Sequence, residues 1–270
     1  MTNDVMYQAV LIGLGRIGWR GFGGAPAIET HTSAIMAHPG IKLVAAVDSD
    51  AGVRAAFQQY SGAYVYEDVW QALRHDPEIA VVATPPETHA DIVCGLSAYG
   101  SIRGFLCEKP LAPSLQECRR MVDACAKHNK VLLVGHQRRY EQRHRLLRAF
   151  LKSGTLGSIH AAACRFSGDS ISNGSHAADT LRFLIGDECP ISLLPALNEE
   201  FTVRLAGEHG SISLSSRGDL EPGYMRTMYN DLIECMETDK TPECSGADGD
   251  RKSTRLNSSH IQKSRMPSSA

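Results

Sequence analysis

Residues 10–20 read VLIGLGRIGWR, and the reading of this stretch decides the fold. The apolar run at 9–12 is short and made of Ala, Val, Leu and Ile, as a buried strand is. It passes directly into Gly13, Gly15 and Gly18 in the pattern G-x-G-x-x-G. Alone that pattern is weak; after a strand and before a helix it marks a dinucleotide-binding turn. Gly13 permits the tight turn, Gly15 lets a pyrophosphate approach the backbone, and Gly18 permits close helix–strand contact. A helix starting here offers N–H donors and a positive dipole end. The candidate cofactor contacts are Gly13, Leu14, Gly15, Arg16, Ile17 and Gly18.

The next requirement is an acid at the end of the second strand, and KLVAAVDSD supplies Asp48. A carboxylate there accepts ribose hydroxyls and repels a 2′-phosphate. No arginine adjoins it in sequence; Arg54 is six residues on. The expectation is NAD rather than NADP. DSD is also good capping chemistry, so Asp48 as the cap of the following helix stays open. Asp48 lies thirty residues beyond Gly18, against the usual spacing of about 20. The excess falls in WRGFGGAPAIETH, too rich in Gly and Pro for a helix. It reads as an extra loop over the phosphates or at the rim of the cleft.

Further short apolar runs at 43–47, 79–83, 105–107 and 131–134 lack the alternation of a half-exposed strand, so both their faces should be covered. Helical segments at about 32–37, 51–60, 69–74, 88–98 and 115–129 separate them. Ser114 with Glu117 forms a capping-box arrangement before the last. The pattern predicts an α/β fold with a doubly wound parallel sheet over 5–135. The second half differs. A basic amphipathic helix at 138–153, a strand at 159–166, a helix at 175–185, strands at 201–205 and 211–215, and a helix at 224–237 predict an α+β substrate or oligomerisation domain with an open sheet over 136–249.

Of 270 residues, 43% are hydrophobic and 21% charged, with a formal net charge of −2. There is no basic excess to suggest nucleic acid and no apolar run of the roughly 20 residues a membrane span needs. The start, MTNDVMYQAV, lacks signal-peptide character, so the expected compartment is the cytoplasm. The eight cysteines form no C-x-x-C pair and no zinc-like spacing, so they read as core thiols, with no metal expected.

Ligands of doubly wound sheets lie beyond the carboxyl ends of the strands. Two such ends carry polar signatures and should face the nicotinamide side of the crevice, as further candidate cofactor contacts. VVATPPETH brings Thr84, Pro85, Pro86 and His89, and FLCEKP brings Glu108 and Lys109. Pro110 biases Lys109 toward extended geometry. The ammonium could hydrogen-bond a substrate hydroxyl and stabilise developing charge on its oxygen; the competing reading is an ordinary exposed Lys–Glu pair. Taken together, GLGRIG, Asp48, TPPETH, CEKP, VGHQRRY and NGSHAADTLRFLIGD resemble the Gfo/Idh/MocA oxidoreductases from about residue 8 to 186. The resemblance implies a Rossmann domain followed by an α/β domain, a nicotinamide cofactor, and a sugar, cyclitol or polyol substrate. It also implies that Lys109 contacts substrate and nicotinamide, that His176 transfers the proton, and that a homo-oligomer can form through the second-domain sheet.

Imidazole suits proton exchange near neutral pH, and Asp179 lies three residues from His176 on roughly one helical face. Asn173 and Asp179 join Lys109, Arg138 and His176 as candidate substrate contacts. Arg138 could bind a hydroxyl or carboxylate; Arg139, Arg143 and Arg145 read as a solvated basic face. One departure stands out: many members carry an aspartate four residues before the histidine, where this chain has Ser172. The leading reading is an NAD-dependent dehydrogenase of a secondary alcohol. The alternatives are a non-catalytic NAD-binding or ligand-sensing protein and a truncated, inactive fragment. Residues 250–270 match neither helix nor strand period and cannot bury enough apolar surface to offset their ordering entropy. They read as a disordered tail or, since DRKSTRLNSSH can be written in codons as a common sequencing-library adapter, as a non-native scar. On the second reading the native sequence stops near Gly249.

Overall fold

The computed structural model describes residues 6–21, 30–168, 172–186, 189–197, 201–216 and 220–248. The tail at 250–270 lies outside the described residues.

The chain begins with β1 (Tyr7–Ile12), a single π-helical turn (Arg16–Arg20), α1 (His31–Met36), β2 (Ile41–Val47), α2 (Ala51–Ser61), β3 (Tyr64–Tyr66) and α3 (Val69–Ala72). There follow β4 (Ile79–Val82), α4 (Pro86–Ser97), β5 (Gly104–Cys107), α5 (Leu115–Lys127) and β6 (Val131–Val134). These strands form one sheet in the order β3-β2-β1-β4-β5-β6, every pair parallel. The order reverses between β1 and β4, which makes their carboxyl ends the switch point where ligands bind. β4 and β5 are buried at every position, as a sheet with helices on both faces requires. The Ser114 cap forms as expected: its Oγ accepts from Glu117 N and donates to Glu117 Oε2.

Beyond β6 come α6 (Gln142–Lys152), β7 (Ile159–Ser167), α7 (Ser172–Ile185), β8 (Ile191–Ala196), β9 (Phe201–Gly207), β10 (Gly210–Ser216) and α8 (Tyr224–Glu237). The second sheet runs β10-β9-β7-β8; β7 pairs antiparallel with β9 and parallel with β8. Cys164, Phe166, Phe201, Val203 and Leu205 pack on one face against Leu147, Ala177, Leu181 and Leu184. On the other face Ala161 and Arg204 are exposed and Ala163 and Arg165 half-buried.

Three features differ from the sequence reading. The helix expected at 138–153 is interrupted: a 3-10 turn (Gln137–Arg139) precedes α6, which Glu141 starts by accepting a hydrogen bond from His144 N. β3 and β8 were not anticipated. α8 packs not on the second sheet but on the first, burying Met225, Met228, Tyr229 and Leu232 in the first core, each worth about 1.5–3 kcal/mol on full burial. The chain after it also returns there. Val134 N donates to Cys244 O at 2.9 Å, and Leu133 bridges Ser245 antiparallel, covering the β6 edge. The packing unit around the first sheet thus includes residues beyond 136.

The described cysteines are free thiols. Burial pushes Cys107 well up, and Cys125, Cys164 and Cys235 to about 12, as unreactive core thiols. Among the described residues no helix is long and apolar enough to cross a membrane.

Candidate active site

At the glycine loop the three glycines are needed for different reasons. Gly13 has φ +96°, and a Cβ there would stand 2.7 Å from the Ala83 carbonyl carbon and oxygen. A Cβ on Gly18 would land on the Gly13 carbonyl oxygen. Both positions are fixed by backbone packing of the β1 and β4 ends. Gly15 is not: among the described residues nothing lies within 4 Å of a Cβ built there. The packing of the described residues gives no reason for glycine at 15; a group approaching the backbone from outside does. Arg16 is exposed, and Ile17 packs on the core. Leu14 is fully buried, and its N–H is given to Asp48 Oδ2 at 2.9 Å. The expected helix is here only one turn, ending at Gly21 with φ +70°. Its dipole is correspondingly short, and α1 is bonded back to it through Thr32 Oγ1 to Gly18 O, 2.7 Å.

Asp48 does not cap α2. That is the work of Asp50, whose carboxylate accepts from Val53 N at 2.9 Å. Asp48 instead accepts from Leu14 N and Asp50 N, fixing it against the glycine loop. A carboxylate has about four acceptor sites, so two remain for ribose hydroxyls. One expectation needs correction: an arginine does reach Asp48. Arg54 Nη1 donates to the main-chain oxygens of Asp48, 2.7 Å, and Ser49, 2.9 Å, and Nη2 lies 3.5 Å from Glu67.

At the β4 end, Pro85 is the N-cap of α4 and Pro86 its first residue. Thr84 is half-buried, and its hydroxyl accepts from Thr88 at 2.7 Å. His89 is fully buried, with Nε2 2.8 Å from the Thr84 carbonyl and Nδ1 3.1 Å from the Leu111 carbonyl. Its ring is held within the protein, joining the loops after β4 and β5. At the β5 end, Glu108 is buried and lies 3.1 Å from His31 Nε2, while Lys109 is half-buried beside it. Burial pushes the Glu108 carboxyl up, but the His31 hydrogen bond and the charge of Lys109 outweigh it and leave it below the usual range.

The β6 end and α7 meet in a buried polar cluster. His136 follows β6, and its ring meets that of His176 edge-on, 5.5 Å between centroids. His176 is buried, 6% exposed. Asp179 is 1% exposed and carries Arg139: Nε at 3.0 and 3.1 Å and Nη2 at 2.9 Å. Arg139 is therefore no solvated residue, and Asp179 is engaged within the protein. Burial alone would disfavour charge on Arg139; Cys244 and Asp179 beside it raise its pKa instead. Arg143 is also half-buried, paired with Glu141 and Glu221, whereas Arg145 is exposed as expected. The Arg138 guanidinium lies 3.6 Å over the Phe201 ring, and burial lowers its pKa to about 10, so it stays charged at neutral pH. Its Nε has no hydrogen-bond partner among the described residues. Asn173 donates its amide to Ser167 O at 2.6 Å, holding the start of α7 to the end of β7.

His136, Asp179 and Cys244 bring potential ligand atoms within 4.8 Å of one another. Arg139 already supplies the cation that Asp179 needs, so the cluster reads as a buried ion pair. Sequence reasoning missed His31, His136, Tyr229 and Cys244 as site neighbours. Only His136, inside GHQRRY, carried any signal.

Residues 8–136 match the family described as oxidoreductase family, NAD-binding Rossmann fold, Gfo/Idh/MocA. The match falls on the first sheet and its helices. The inositol 2-dehydrogenase of Rubrobacter xylanophilus is 36% identical over 149 residues, 54% of this chain and 41% of that protein. The rhizopine catabolism protein MocA of Rhizobium meliloti is 26% identical over 197 residues, 67% of this chain and 58% of that one. The chain spans about half the length of the curated relatives it matches. Two of the solved structures of similar fold align along nearly the whole chain. The WlbA dehydrogenase from Bordetella pertussis, in complex with NADH and UDP-GlcNAcA, has TM-score 0.76 at 19% identity, covering 93% of this chain and 94% of that one. The myo-inositol 2-dehydrogenase from Lactobacillus plantarum has TM-score 0.76 at 16% identity, covering 93% and 95%. At these identities the likeness is one of fold.

Proposed function

We propose that this chain is a Gfo/Idh/MocA oxidoreductase that binds NAD(H) on its first sheet and oxidises a secondary alcohol of a cyclitol, sugar or related polyol. The observation that carries the proposal is the line of contacts along the carboxyl edge of that sheet. Asp48 braces the glycine loop. Lys109 adjoins Glu108, whose carboxylate lies against Gly135; His136 follows and meets His176. Bound NAD would supply the hydride acceptor. The Lys109 ammonium hydrogen-bonds the substrate oxygen and stabilises its developing charge as hydride leaves the carbon. His176, or Lys109 in its neutral form, takes the hydroxyl proton. With serine at 172, no carboxylate from that position assists, and Asp179 is occupied by Arg139. Arg138, charged and with its buried Nε unpartnered among the described residues, would bind a substrate hydroxyl or carboxylate. The uncovered face of the second sheet would meet a second copy of the chain.

Asp48 supports NAD over NADP, since a 2′-phosphate would meet its carboxylate; Asp48→Ala should narrow the gap in affinity. The overall test is a screen of polyols and sugars with NAD, following absorbance of the reduced cofactor. Reduction with one of them that Lys109→Ala loses is the expected result. Reduction that is equally fast in Lys109→Ala would refute the assigned chemistry.

A further inference from the structure

The six-residue helix α1 makes two contacts from adjacent residues. Thr32 bonds the Gly18 carbonyl in the glycine loop. His31, fully buried, reaches two ways: Nε2 lies 3.1 Å from Glu108 Oε1, and Nδ1 lies 2.9 Å from the hydroxyl of Tyr229 on α8. Glu108 Oε2 in turn accepts the Lys109 main-chain N–H at 3.1 Å. Gly135 leaves space for this carboxylate, since a Cβ there would stand 2.9 Å from Glu108 Oε1. An ionised carboxylate only accepts, so Nε2 carries the ring proton and Tyr229 O–H donates to Nδ1. That tautomer satisfies every atom in the chain of bonds.

We infer that His31 is a positioning residue for Lys109. From α1 it holds the Glu108 carboxylate, which fixes the main chain of Lys109 and keeps a negative charge beside its ammonium, and Tyr229 sets the tautomer that makes this possible. The inference deepens, and in its link to turnover rests on, the reading of Lys109 as the substrate-facing lysine. Because α1 is also bonded to the glycine loop, one short helix sets the spacing between cofactor loop and lysine across β4. The groups facing Glu108 are His31 from α1, Tyr229 behind it from α8, Cys107 before it on β5 and Lys109 after it. Burial opposes its charge, and the His31 hydrogen bond is the first contribution that offsets burial. Without that N–H, Glu108 takes up a proton at a higher pH.

The test is made on the full chain without cofactor or substrate. Carboxyl 13C NMR of glutamate-labelled protein, with Glu108→Gln to assign the resonance, follows Glu108 through an acid titration. His31→Ala should raise its midpoint by about one pH unit or more, Tyr229→Phe by less, and His31→Gln, which offers an N–H near the Nε2 position, should return it toward wild type. Deuterium exchange at the Lys109 amide should be about tenfold faster, or more, in His31→Ala. A Glu108 midpoint unmoved by His31→Ala, or unchanged Lys109 exchange, overturns the inference. If His31→Ala does not fold, Tyr229→Phe must still raise the midpoint, and an unmoved value there overturns it equally. Failure of the wild type to bind NADH would sink the proposed function but leave this result readable.

Discussion

β4 and β5 of the first sheet are buried from end to end, while β7 of the second alternates buried with half-buried residues after its exposed start. The first sheet holds only apolar side chains in those strands and keeps its polar groups at the carboxyl edge. The second unit places charge inside: Arg139 on Asp179, and His144 and Arg143 on a buried Glu141. The difference teaches where each unit is vulnerable. The first depends on backbone fit at its glycines; the second depends on ion pairs that must stay complete, because a buried charge that loses its partner costs far more than the pair contributes.

The largest effect should follow from breaking that pair. Asp179→Ala takes from buried Arg139 its nearest carboxylate, leaving Asp248 at 3.6 Å, and should cost about 3 kcal/mol in urea unfolding. A loss under about 1 kcal/mol would mean that the pair does not hold α7 to the β6 end.

Next comes pH. Burial raises the Glu141 carboxyl, but hydrogen bonds from His144 and Arg143 more than offset this and bring it down to about 2. A depressed folded pKa stabilises the protein above the ordinary carboxylate range, and that stability is lost as pH falls through the folded value. The amount is about 3 kcal/mol, lost between about pH 4.5 and 2. Glu141→Gln should flatten the stability curve across that window. An unaltered acid limb would place the titration elsewhere.

The smallest effect on stability belongs to the glycine loop and is also the most selective. Gly18→Ala drives a Cβ into the Gly13 carbonyl and should cost about 2 kcal/mol. Gly15→Ala meets nothing among the described residues and should leave stability within about 0.5 kcal/mol. Equal costs at the two positions in chemical denaturation would erase the distinction drawn between packing and ligand glycines.

The first sheet was legible because continuous Val, Leu and Ile runs, a glycine loop and a Ser114 cap are local signals. β3 escaped notice because it has three residues at a sheet edge, and β8 because Pro195 speaks against a strand except at an edge, where β8 lies. The long helix at 138–153 was misjudged since its charge pattern hides the break that Glu141 makes. The deeper misses are pairings over distance. Arg139 meets Asp179 forty residues away, and His31 meets Glu108 seventy-seven away and Tyr229 farther still. No period or motif encodes such partners. Gly13, Gly18 and Asp48 could be read because each motif position has a fixed geometric duty, whereas DSD offered two acids for one cap and the structure gave it to Asp50.

The central claim is that the open side of Gly15, braced by Asp48, is where a nicotinamide dinucleotide binds. Calorimetric titration of NADH into the wild type, Lys109→Ala and Gly15→Ala tests it most directly. Binding should be measurable in the wild type, similar in Lys109→Ala, and weaker by about tenfold or more in Gly15→Ala, whose unfolding midpoint stays unchanged. No binding heat in the wild type, or equal affinity in Gly15→Ala, would contradict the account.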